Sequence, residues 1–125
     1  MAGEQSLQMV DSFDRLLVDE VATDSLELLR AIKDLDVAFV TIGLGSGVCG
    51  ILVACDVLNL KIKFIGVVSG HAISYAESFS YRRPVESPVG TTIADGMACG
   101  IPELSALELI WKDVERIVLV SDTEI

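Results

Sequence analysis

Apolar residues along this chain come in short runs separated by glycine, proline and polar clusters. The period within each run predicts its element. Residues 24–33 read as a helix: Leu28, Leu29, Ile32 and Leu35 recur at helical spacing, and Asp24 with Glu27 has the form of a capping box. Upstream, Asp14 to Glu20 predicts a shorter helical turn with Leu16, Leu17 and Val21 inward. Val37-Ala38-Phe39-Val40-Thr41-Ile42 is a nearly continuous apolar run ending at glycine, as expected of a strand covered on both faces. Val48 to Leu58 is apolar nearly all round and predicts a buried helix. After the turn at Asn59-Leu60-Lys61, Lys63 to Val68 predicts a second buried strand. Ile73 to Ser80 has the form of a short helix. Residues 81–101 carry the punctuation of a long loop: Arg83-Pro84, Ser87-Pro88, Gly90, Gly96 and Gly100. A further helix is predicted from Pro102 to Asp113, with Ser105 and Glu108 as an SxxE pair and Leu104, Leu107, Leu109 and Ile110 apolar. Arg116 to Val120 predicts a third strand.

Strands alternating with helices at this spacing imply βαβ units. The expected fold is therefore α/β: a single domain over residues 1–125 with a small parallel sheet of about three strands, flanked by helices on both faces. Ser121-Asp122-Thr123-Glu124 again has the form of a capping box, yet only Ile125 follows it. A chain cut short relative to an ancestor accounts for that, and a non-helical acidic tail is the alternative. A hydrophobic content of 51% and a mean hydropathy of +0.55 over 125 residues are high for one small domain. Either a sheet buried on both faces or a surface that meets another chain explains them.

No apolar run reaches the roughly 18 residues of a membrane span. The start, Met1-Ala2-Gly3-Glu4-Gln5, lacks the basic and apolar regions of a signal peptide, so a cytoplasmic location is expected. A net charge of −10 repels phosphate backbones and anionic lipid, which argues against nucleic acid and membrane surfaces as partners. Cys49, Cys55 and Cys99 form no CxxC pair and read as free thiols. With a single histidine, His71, a zinc site is not expected.

The strongest local signal is Gly43-Leu44-Gly45-Ser46-Gly47, set between a strand and an apolar helix. Glycines permit φ > 0 and let main-chain N–H groups approach an anion, while the helix N-terminus adds its dipole and Ser46 a hydroxyl donor. Such a loop suits a phosphate monoester. It is not a Walker loop, because no Gly-Lys-Ser/Thr follows, and the expectation sets it apart from G-x-G-x-x-G because Val48 and Cys49 stand before Gly50. A tight strand–helix corner with close backbone packing would also use these glycines.

Further residues point to a family. Thr41-Ile42-Gly43-Leu44-Gly45-Ser46-Gly47-Val48-Cys49-Gly50-Ile51 resembles the phosphate-cradling loop and helix of fold-type II pyridoxal-phosphate enzymes. The similar subgroup is that of threonine dehydratase and serine racemase, most closely the dehydratases of hydroxyectoine utilisation. Ile62 to Val67, His71 to Ser78, Arg83-Pro84-Val85 and Val120 to Ile125 resemble the family at their places, and Ser12-Phe13-Asp14 with Ala22-Thr23 does so more weakly. Thr92-Ile93-Ala94-Asp95-Gly96-Met97-Ala98 resembles its TIADG-type segment. The resemblance implies a Rossmann-like part of such a domain, pyridoxal phosphate as cofactor, and Gly43, Leu44, Gly45, Ser46 and Gly47 as the residues that hold its phosphate.

The resemblance also implies what is missing. The family's Schiff-base lysine and its asparagine loop belong to an N-terminal portion with no counterpart here, and the partner of the pyridine nitrogen would follow Ile125. Lys33, Lys61, Lys63 and Lys112 do not match the lysine's position, and Val67-Val68-Ser69 stands where some relatives carry an acidic metal ligand. No catalytic residue is assigned, and without an electron sink the chain alone is expected to carry no dehydratase chemistry. Asp95 is read as organising its loop with Thr91 and Thr92, His71 as a turn residue, Trp111 as core or interface, and Arg82 with Arg83 as a solvated pair. Three classes of function stay open: an enzyme piece completed by a chain that supplies the lysine, a binding module for a phosphorylated small molecule, and a self-associating remnant. A homodimer is expected from the apolar surface.

Overall fold

The apolar runs at 37–41, 63–69 and 114–120 form a parallel three-stranded sheet in the order β1-β2-β3. The structure, a computed structural model, describes residues 15–90, 97–121, 123 and 124. Its elements are α1 (Arg15–Ala31), β1 (Val37–Thr41), α2 (Ser46–Val57), β2 (Lys63–Ser69), α3 (Ser74–Tyr81), α4 (Leu104–Asp113) and β3 (Val114–Val120). This is the predicted α/β order.

Both crossovers carry the chain one strand further in the same direction. Right-handed connections of that kind place their helices on one face of the sheet. The core bears this out: Ala38, Val40, Phe64, Val68 and Ile117, all from one side of the register, pack with Val18, Leu29, Val48, Leu52, Tyr75, Leu107 and Ile110 from the helices. None of the residues that alternate with them, among them Val37, Phe39, Ile65, Val67 and Val118, belongs to that cluster. The expectation of helices on both faces is thus corrected among the described residues. β1 shows the consequence. It is an edge strand whose outward residues Val37 and Phe39 are 40% and 64% exposed, not the doubly covered strand its composition predicted. Its apolar content reflects a surface rather than a second core face.

Two expected caps are also corrected. α1 continues from Arg15 through Asp24 and Glu27, because Val18, Ala22, Ser25 and Leu29 make one unbroken buried stripe at i, i+4, i+3, i+4 spacing. Leu28 and Ile32, expected inside, lie on its exposed side. α4 starts after an extended Glu103, whose carbonyl accepts the Leu107 N–H at 3.0 Å, so Ser105 sits within the first turn and caps nothing. Half of the terminal box forms, the Glu124 N–H bonding the Ser121 carbonyl at 3.0 Å rather than its hydroxyl. The Glu124 carboxylate accepts the Ser121 N–H at 2.7 Å and the Ser121 hydroxyl at 3.0 Å, and both bonds hold its pKa below the usual carboxylate value.

α2 is the hub. α1 packs along it, and the approach is closest at Gly50, where a Cβ would lie 2.6 and 2.8 Å from Val21 and 3.0 Å from the Ala22 nitrogen. Backbone on the far side leaves no room for rotamer adjustment. Gly50→Ala should therefore destabilise the fold by about 1–3 kcal/mol through overpacking, against about 1 kcal/mol gained in helix propensity. Urea denaturation checks this, and a variant at least 1 kcal/mol more stable than the parent would show that α1 does not press on Gly50.

Candidate functional site: the loop before α2

β1 delivers the chain to the carboxyl end of the sheet, where Ile42 is buried and its N–H bonds the Val67 carbonyl at 2.9 Å. The chain then turns into α2 through Gly43 and Leu44, with Gly45 as N-cap at φ 112°. That φ belongs to the left-handed region, which side chains disfavour. A Cβ on Gly45 would also strike Ala106 Cβ at 2.7 Å and the Tyr75 hydroxyl at 3.0 Å. The Gly45 carbonyl accepts the Cys49 N–H at 3.0 Å and closes the first turn.

Among the described residues, no hydrogen-bond partner is recorded for the amides of Leu44 to Val48 or for the Ser46 hydroxyl. These amides lie at the positive end of the α2 dipole, and the first turn of α2 holds no acidic residue. The predicted site residues are thus contiguous: Gly43, Leu44 and Ser46 are half-buried, Gly45 is buried and Gly47 is exposed.

Gly47 differs from its neighbours. A Cβ there would meet nothing within 4 Å, so packing does not require glycine. Counted from Gly45, the run Gly45-Ser46-Gly47-Val48-Cys49-Gly50 does have G-x-G-x-x-G spacing, which corrects the expectation above. The three glycines divide the work as that pattern does elsewhere: a tight turn at Gly45, open approach at Gly47, close packing at Gly50.

The sequence did not single out the buried side chains beneath the loop. Ser74, Tyr75 and Ser78 of α3 are fully buried, and each hydroxyl meets backbone. Ser74 donates to the Cys99 carbonyl at 2.6 Å, and Ser78 accepts the Val85 N–H at 2.8 Å. Tyr75 donates to the Leu44 carbonyl and accepts the Glu103 N–H at 3.1 Å. Their spacing at 74, 75 and 78 is the i, i+1, i+4 pattern of one helix face, the signal that would have found them.

The other weighed residues are structural. His71 is exposed in the turn before α3, its N–H on Ser69 Oγ at 3.1 Å. Trp111 donates to the Ser78 carbonyl at 3.1 Å. Arg82 lies 5.2 Å over the Phe79 ring and Arg83 5.8 Å over Tyr81, both exposed. Asp95, Thr91 and Thr92 lie outside the described residues, as do Ser12 to Asp14. Two clefts, of about 320 and 550 Å³, lie away from the loop, the first beside Lys61 and Lys63 and the second between α1, α2 and α4. Neither is lined by a loop residue, so the free amides rather than concavity mark the site.

All four lysines sit at the other end of the sheet. Lys33 precedes β1, Lys61 and Lys63 open β2, and Lys112 immediately precedes the start of β3. The five residues of β1 alone put about 17 Å between that end and the loop.

A parallel sheet with a glycine turn feeding its first crossover helix defines a Rossmann-like unit built around a helix N-terminus. This chain belongs to the pyridoxal-phosphate dependent enzyme family, which it matches over residues 2–125. It is 32% identical over 126 residues to the catabolic L-threonine dehydratase of Staphylococcus aureus, an alignment covering 100% of this chain and 36% of that protein. Among solved structures it superposes on maize serine racemase with a TM-score of 0.88, at 23% identity and over 98% of this chain and 38% of that one. The processed form of threonine deaminase isoform 2 from Solanum lycopersicum gives 0.86, at 23% identity and over 96% and 35%. These structures share the fold, and the chain spans about a third of the length of the relatives it matches.

Cys49 lies under the loop, and burial pushes its thiol up from the ordinary 9.0 to about 12. The unfolded chain releases this proton first, so the native state loses stability as pH rises from about 9 towards 12. Urea denaturation between pH 8 and pH 10 should show that fall, and Cys49→Ala should flatten it by up to about 1.4 kcal/mol per pH unit. An unchanged slope in the variant would place the titrating group elsewhere.

Proposed function

We propose that this chain is the phosphate-gripping part of a pyridoxal-phosphate enzyme of the threonine dehydratase and serine racemase kind, and that alone it performs no lyase chemistry. The observation that carries the proposal is Gly47, a helical glycine that packing does not explain, beside a row of amides without recorded partners. Leu44 to Gly47 would bind the phosphate through their N–H groups, and Ser46 would add its hydroxyl. Pyridoxal phosphate, when bound, supplies an electron sink for bond cleavage next to an amino group. The residues here fit its phosphate. Nothing among them supports a covalent link, since every lysine lies at the far end of the strands. A complementary polypeptide carrying the lysine would complete the site.

Three or four such hydrogen bonds plus the dipole, working against a net charge of −10, correspond to millimolar affinity, or about 4 kcal/mol. Titration with inorganic phosphate, pyridoxal phosphate and pyridoxal, followed by amide NMR, should move residues 43–49 with the first two only. Shifts centred on Arg82 and Arg83 would sink the proposal. Because a helical Cβ leans toward the helix N-terminus, Gly47→Val should weaken phosphate binding about tenfold or more at little cost in stability. Stoichiometric pyridoxal phosphate should leave no lysine adduct after borohydride, and no turnover of threonine or serine.

The chain alone is also proposed to form a two-fold dimer through β1. Val37 to Thr41 has no charge and no proline, and it leaves an open edge beside the exposed Phe39. Light scattering should give twice 13.4 kDa at micromolar concentration, and Phe39→Asp should return it to one chain. A monomeric parent protein would count decisively against the dimer.

A further inference from the structure

We infer that Tyr75 is a positioning residue for the anion loop, a role that rests on the phosphate-gripping function proposed above. Its side chain is 1% exposed, and its hydroxyl has both hydrogen-bonding capacities engaged on backbone from distant parts of the chain. It donates to the Leu44 carbonyl and accepts the Glu103 N–H. The phenolic oxygen also lies against Gly45, 3.0 Å from where a Cβ would stand.

Peptide geometry makes the first bond consequential. In a trans peptide the C=O and the following N–H point in opposite directions. Holding the Leu44 carbonyl inward on Tyr75 therefore turns the Gly45 N–H outward, and sets the chain for the φ of 112° from which α2 starts. Without that anchor the Leu44–Gly45 peptide is free to rotate, and glycine presents little steric barrier to it. A loop that samples both orientations binds an anion only in the fraction that presents its amides. The second bond ties the same oxygen to the residue that starts α4. Tyr75 thus couples the loop to both helices of the second crossover.

The test uses the full chain and inorganic phosphate. Tyr75→Phe leaves the ring in place and removes the hydroxyl. It should weaken phosphate binding roughly fivefold or more, in keeping with loss of the bond that holds the Leu44 carbonyl, with the Gly45 amide shift lost first. A second readout keeps the native contacts. The chain has two tyrosines, and Tyr81 is 63% exposed, so 3-fluorotyrosine labelling gives two fluorine signals that Tyr81→Phe assigns. Phosphate should shift the Tyr75 signal along the same binding curve as the amides and leave that of Tyr81 in place. If Tyr75→Phe does not fold, this titration decides alone. A wild-type chain that binds phosphate while the Tyr75 signal stays still, or a folded Tyr75→Phe that binds equally well, overturns the positioning role and leaves the grip intact. A wild-type chain that binds no phosphate overturns the grip, and the role of Tyr75 with it.

Discussion

The structure depends on how closely α2 is drawn in among its neighbours. Glycine permits that approach at two points, Gly45 against Ala106 and Tyr75, and Gly50 against Val21 and Ala22. Val48 and Cys49 between them, and Leu52, Ala54 and Cys55 beyond Gly50, are all buried. The small residues at 49, 50 and 54 let backbones rather than long side chains meet, which gives dense packing at the cost of tolerance to added volume. α2 cannot move without disturbing the sheet, α1 and α4 together.

The site inherits its order from this packing. A helix N-terminus holds an anion only if its free amides stay in place when no anion is present, because ordering them on binding would consume the few kilocalories that the bonds return. Here the helix is fixed by the core and its first turn is closed by the Cys49–Gly45 bond. α3 lies beneath, with Ser74, Tyr75 and Ser78 satisfying backbone that would otherwise be buried unpaired. The buried polar stripe of α3 and the exposed glycine of α2 are two sides of one arrangement.

Much of this was legible in the sequence, for physical reasons that differ by element. The strands read at 63–68 and 116–120, one and two residues short of those observed, and the helix after Gly45 were legible because apolar runs bounded by glycine and polar turns leave few alternatives. The bare face of β1 was not, since Val37 and Phe39 look the same whether a helix or nothing lies above them, and only the strand order decides. The caps at Asp24 and Ser105 failed for a related reason: SxxE and DxxE spacings also occur inside helices, where the buried stripe overrides them. The glycine loop was visible, but the separate duties of Gly45, Gly47 and Gly50 became clear only when each missing Cβ had neighbours to meet.

Geometry separates the loop before α2 from every lysine of this chain. A molecule anchored by phosphate at the start of α2 extends over the carboxyl end of the sheet, where ligands of open α/β folds lie. The described residues at that end, from Ser69 to His71 and at Ser121, include the exposed His71 imidazole and main chain, whereas the amines lie a strand's length away. The strand ends that offer no amine adjoin the sheet face that no described helix covers; Val37 and Phe39 make its β1 edge apolar, while Lys63 and Arg116 stand on the same face. Polypeptide laid over it would bury those side chains and end above the loop. Under the proposed function one surface would answer both needs, cover for β1 and chemistry for a molecule held at the loop, and the catalytic groups would belong to whatever binds there.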